Sequence, residues 1–162
     1  MTRRATLMLT GMALLGLAVA WPQSGFAQSD PFVGTWQLNL AKSKFPGPPP
    51  KSQTNNIQAE GQGLKVTATG VGAEGNPISN AFALVFDGMP HPSNRAPNAY
   101  DAITDARVDA YTLISSRTKA GKLVAIQTVL VSPDGKMLTA TTTGINAVNG
   151  QLFNLIQVFD KQ

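Results

Sequence analysis

Phe32-Val33-Gly34-Thr35-Trp36-Gln37-Leu38-Asn39-Leu40 is the stretch from which the rest of the chain is read. Its even positions are Phe, Gly, Trp, Leu and Leu, and its odd positions after Val33 are Thr, Gln and Asn. Successive side chains of a strand point to opposite faces, so this spacing predicts a strand with one buried face and one wet face. Gly34 leaves space beside a large indole, and Trp36 is the only Trp outside the first 27 residues. The stretch reads as the first strand of a small β-barrel.

Upstream, Met1-Thr2-Arg3-Arg4 precedes an apolar run from about Leu7 to Ala20, with small residues at Gly25 and Ala27. A basic start, a short apolar stretch and small residues before the cut make a secretory signal over 1–27, with a competing site after Ala20. Pro22, Gln23 and Ser24 interrupt the apolar run before the roughly 20 residues that a membrane span needs. The expectation is a single domain over 28–162 with no span of its own. The chain holds no Cys, which excludes lipid attachment through Cys and any disulfide framework, and suits a bacterial periplasm. Loss of Arg3 and Arg4 takes the formal charge from +4 to +2. The remaining Lys and Arg are scattered and few aromatic residues could stack on bases, which argues against nucleic-acid binding.

Downstream, 41–51 holds Pro46, Pro48, Pro49 and Pro50, cannot be helical, and reads as a stiff loop crossing one end of the fold. The chain is then punctuated as a β-meander. Strands are expected at 55–59, 64–69, 79–86, briefly at 89–91, and then at 100–107, 110–117, 122–131, 137–143 and 151–159. Asp87-Gly88 is the dipeptide of tight hairpins, and Ser132-Pro133-Asp134-Gly135 has type I turn chemistry. No stretch has helical periodicity. An up-and-down antiparallel barrel closes only if its last strand runs opposite to its first, so an even count is required and ten strands are expected. Tight turns then collect at one end. The longer segments 41–52, 70–78, 93–99 and 144–150 collect at the other, the candidate ligand entrance.

In this arrangement Lys161 falls beside Trp36, where a cation over the indole face would close the tight-turn end. Gly34-Thr35-Trp36 near the start, with a meander ending in a basic residue, resembles the Gly-x-Trp signature of the lipocalins and fatty-acid-binding proteins, the calycins. Val33 to Phe45, then Ser132-Pro133-Asp134-Gly135-Lys136 and Asp160-Lys161-Gln162, resemble small secreted bacterial proteins of lipocalin-like type. The resemblance implies an all-β barrel and an exported location, and assigns no activity. The chain departs from the pattern in two places: prolines stand where a helical lid would follow the first strand, and the closing cation is Lys rather than Arg.

Leu38, Phe82, Leu84 and Phe86, with Leu64, Val66 and Val129, are candidates to line an apolar lumen. Lys44, Arg95 and Arg117 are the cations best placed to meet an acidic head group. His91 is the one His and lies between two prolines; it could act as a general base or metal ligand, or be a plain loop residue. With no Cys and one His, no zinc constellation is available, and no acidic cluster has calcium-loop spacing. Asp101, Asp105 and Asp109 share one strand face, read as solvent-exposed, as is Ser115-Ser116. No Gly-x-Ser-x-Gly elbow exists, and the Gly-rich 70–75 loop has no helix behind it to cradle phosphate. No catalytic residue, metal or cofactor is therefore assigned. The sequence points to a periplasmic or secreted module holding a small apolar or amphipathic ligand. The alternative is an envelope interaction protein working through its mouth loops or proline run. An enzyme would have to use His91 or the Asp101/Asp105 face.

Overall fold

The computed structural model describes residues 30–93, 95–96, 98–146 and 149–162; the expected leader over 1–27 lies outside them, as do parts of the loops expected at 93–99 and 144–150. The opening alternation folds as β1 (Gly34–Leu38), with Trp36 and Leu38 buried and Gln37 exposed. Nine more strands follow: β2 (Ser52–Glu60), β3 (Gly63–Val71), β4 (Pro77–Leu84), β5 (His91–Pro92), β6 (Ala102–Asp109), β7 (Thr112–Lys119), β8 (Lys122–Val131), β9 (Met137–Ile145) and β10 (Leu152–Lys161). The one helical element among the described residues is a single 3-10 turn, Leu40–Lys42, which Asn39 caps by accepting from the Lys42 N–H.

All ten strands belong to one antiparallel sheet, in the order β4-β3-β2-β1-β10-β9-β8-β7-β6-β5. First and last strands pair as parity requires, with Trp36 opposite Lys161 and Leu38 opposite Phe159. Several strands slide against their expected bounds. The turn expected at 108–109 falls at Ala110 and Tyr111, where Asp109 accepts from the Tyr111 N–H at 2.7 Å. An irregularity between Arg107 and Asp109 shifts the register further, so Arg107 meets Leu113 and Asp105 meets Ser115.

The Asp87-Gly88 hairpin does not form. β4 and β5 are the two edges of the sheet and do not pair. Asp87 instead accepts from the Met89 N–H at 2.9 Å and meets His91 Nε2 at 3.0 Å. Pro90 and Pro92 carry no N–H, so a strand returning through them could not build a ladder against β4.

The buried face packs around Phe32, Trp36, Leu64 and Phe159, each 1 % exposed or less. Trp36 Nε1–H donates to the Phe32 carbonyl at 2.8 Å, so the one polar atom of the indole is satisfied inside the core. Arg107 closes over this end. Its guanidinium pairs with Asp30 at 2.5 Å and lies 5.2 Å from the Phe32 ring and 5.1 Å from the Phe86 ring.

Candidate functional site

The concave face of the sheet encloses a cavity of about 210 Å³. Strand register grades its wall from one end to the other. Toward the tight turns it is apolar, built from Phe32, Leu64, Leu113, Leu138 and Phe159. Two or four residues along the same strands it becomes polar: Ile57 of β2 gives way to Asn55 and Gln53, Leu113 of β7 to Ser115 and Arg117, Val129 of β8 to Gln127, and Phe159 of β10 to Gln157. The polar end faces the longer loops. The same period of two that keeps these side chains inward also steps the wall from hydrocarbon to hydrogen-bonding groups.

Asp105 and Ser115 stand directly opposite each other in the β6–β7 register, and the Ser115 hydroxyl donates to Asp105 Oδ1 at 2.5 Å. Both are buried, which corrects the solvent-face readings of Asp105 and of Ser115. Ile103 and Leu113 are buried two residues earlier, and alternation carries Asp105 and Ser115 to the same inner face. Asp101 and Asp109 do lie exposed. Burial pushes the Asp105 carboxyl above its ordinary value. The Ser115 hydroxyl, the Arg95 charge, the Val85 N–H and the Arg117 charge oppose that rise.

Arg117 donates through Nη2 to Gln127 Oε1 at 3.0 Å, and Gln127 donates in turn to the Thr142 hydroxyl at 3.0 Å. Its guanidinium lies 5.2 Å from the Tyr100 ring. Burial pulls it below the usual arginine value, opposed by Tyr100 and Asp105, yet a guanidinium keeps its charge in such settings. Arg117 Nε is buried without a hydrogen-bond partner among the described residues. A charged donor left so in an enclosed site lacks an acceptor.

Of the seven side chains singled out as ligand contacts, Phe82, Leu84, Phe86, Arg95 and Arg117 are on the cavity wall. Leu38 is not: it is buried in the core, and its register partner Phe159 forms the wall there. Lys44 is likewise absent from the cavity wall. β1 is five residues long and β10 is ten, so the backbone of Lys44 continues the pairing that β1 cannot reach, bridging Ile156 with N–O distances of 2.7 and 2.8 Å. The sequence reading passed over Gln53, Asn55, Gln127 and Gln157, and placed Asp105 and Ser115 on a solvent face. Each sits two or four positions from an apolar inward residue, a signal that polarity alone hid.

At the opposite end, Lys161 Nζ lies 4.9 Å from the Trp36 ring. Gly34 has φ +140°, and a Cβ there would stand 2.7 Å from Lys161 Cε, so the space left by the glycine holds the lysine stem rather than the indole. His91 is on the β5 edge, half-exposed, its ring against Asp87, whose carboxyl is held below its ordinary value chiefly by that bond. Among the described residues no three His, Asp or Glu side chains converge as a metal site would require.

No protein-family profile and no curated protein matches the chain. Solved structures similar to it include zebrafish ileal bile acid-binding protein complexed with cholic acid, 16 % identical, with TM-score 0.42 over 82 % of this chain and 99 % of that one. Lobster apocrustacyanin A1 is 12 % identical, with TM-score 0.43 over 83 % of this chain and 63 % of the other.

Proposed function

We propose that this protein is an exported binding module that holds a small amphipathic molecule in its lumen. The apolar body rests on the Phe32–Leu64–Phe159 floor and an acceptor on its head meets Arg117. The observation that carries the reading is the unpartnered Arg117 Nε at the polar end of a cavity whose other end is hydrocarbon. A ligand acceptor would supply a charge-assisted hydrogen bond that the fold leaves unmade. The volume of about 210 Å³ lies between the ~150 Å³ that takes a benzene and the ~300 Å³ at the low end of drug-sized pockets. A body on the order of ten non-hydrogen atoms suits it. The graded wall also sets orientation, because the reversed pose would bury the head against hydrocarbon.

Native mass spectrometry of protein released gently from the bacterial periplasm tests the whole reading at once. The expected result is a chain beginning at Gln28 that carries an extra mass lost on denaturation. With 2-naphthoate as probe, Arg117→Met is expected to weaken binding about tenfold to a hundredfold, the worth of one charge-assisted hydrogen bond. A bare mass with no naphthoate bound would move the function to the surface. There Pro46, Gly47, Pro48 and Pro49 are exposed while Phe45 packs against the core, so an envelope partner would be sought by replacing 46–50 and sparing Phe45.

A further inference from the structure

The sheet is laddered everywhere except between its two edges. Among the described residues β5 pairs only with Ala102 and Ile103, β6 from Thr104 onward has no strand on that side, and β4 has none beyond β3. The opening between them is a second pocket, of about 270 Å³, with Ala81, Ala83 and Val85 on one bank and His91, Ser93 and Ile103 on the other. Phe82, Arg95 and Asp105 line both this pocket and the central cavity. Three side chains therefore stand between the outer surface and the lumen.

What crosses the opening is side chain. The Arg95 guanidinium lies 3.8 Å over the Phe82 ring, and the Asp105 side chain of β6 lines the same opening. Arg95 is itself exposed, and a long flexible side chain at a surface changes rotamer in picoseconds to nanoseconds. Parting two laddered strands breaks a row of backbone bonds together, whereas lifting Arg95 from Phe82 breaks one contact. The tight-turn end offers no such route, since Phe32, Trp36, Arg107 and Lys161 fill it.

We propose that the ligand reaches the lumen sideways, through the seam between β4 and β6, and that Arg95 seated on Phe82 is the latch of that entrance. The inference rests on the lumen-binding reading. It replaces the long-loop end as the route of access, and it gives the two inward cations successive duties: Arg95 meets an acidic head at the threshold and Arg117 receives it inside.

The chain contains no Cys, so a single introduced thiol can be labelled without competition. Ala83→Cys, on the seam, and Glu74→Cys, on the turn between β3 and β4 at the long-loop end, are each coupled to a bulky maleimide polymer. Binding of 2-naphthoate is then followed by stopped-flow fluorescence. The label at 83 is expected to slow association and dissociation together by tenfold or more, with Kd nearly unchanged; the label at 74 is expected to leave both rates alone. Arg95→Ala is expected to speed dissociation. Slowing by the label at 74 and not at 83 would overturn the lateral entrance while leaving the lumen reading intact. Absence of naphthoate binding to the unlabelled protein would overturn both.

Discussion

Asp105 holds a carboxyl inside a wall that is largely amide and hydrocarbon, and the linkage to stability has a definite sign. In the unfolded chain it ionises near 3.8, while in the folded protein burial keeps the proton on to higher pH. Between the two values the unfolded state binds fewer protons, so stability falls as pH rises through that window and is level above it. Asp105→Asn keeps an acceptor for the Ser115 hydroxyl and removes the titration. Urea midpoints from about pH 3.5 to 7 should show the wild type losing ground against this variant through the lower part of the range. A constant difference would mean that Asp105 titrates alike in both states. The same residue marks where reading a sequence stops short. An Asp in a strand is read as wet unless the burial of Ile103 and Leu113 is already known, and burial is a property of the assembled sheet. Phe82, Leu84 and Phe86 needed no such help, because three large apolar side chains at a spacing of two announce their face.

At the level of the element, β8 occupies the expected 122–131, bounded by Gly121 before it and by Ser132-Pro133-Asp134-Gly135 after it. Local turn chemistry sets its ends: Gly135 donates to the Ser132 carbonyl at 2.8 Å and Lys136 to Asp134 at 3.1 Å. β4 and β5 show the reverse case. Asp87-Gly88 carries a local hairpin signal, and two prolines just beyond it remove the donors that a ladder needs. Close approach is a second demand on an element. A Cβ at Gly144, on the inner face of β9, would stand 2.5 Å from the Val124 carbonyl oxygen and 2.6 Å from Ala125 Cβ. β8 would have to move, so Gly144→Ala should cost about 1–3 kcal/mol, as overpacking does. Chemical denaturation checks this, and an unchanged midpoint would show that β8 yields freely at that edge.

For the molecule as a whole, the strand count and the pairing of first with last were legible because parity and alternation are rules of the sheet itself. The interruption of the barrel was not, since it depends on which two neighbours fail to meet. A graded lumen has a consequence at the same scale. A ligand that binds only the folded state raises stability by RT ln(1 + [L]/Kd), about 2.7 kcal/mol at a hundredfold excess over Kd.

The junction of β1 with β10 lies in the middle of the sheet, while the break lies between β4 and β5. Read along the sheet, the chain is already a circular permutation of a simple meander. Asn39 bonds Asp160 at 2.6 Å across 121 residues of sequence, so this junction requires the longest loop closure in the fold. Joining residue 162 to residue 30 by a short Gly/Ser linker and opening the chain at 87–88 would make spatial order and sequence order the same. Such a permutant should keep the fold and refold faster than the parent in stopped-flow, because its contacts become local. A slower permutant would show that the hairpins of β6 to β10, rather than the β1–β10 junction, limit the rate.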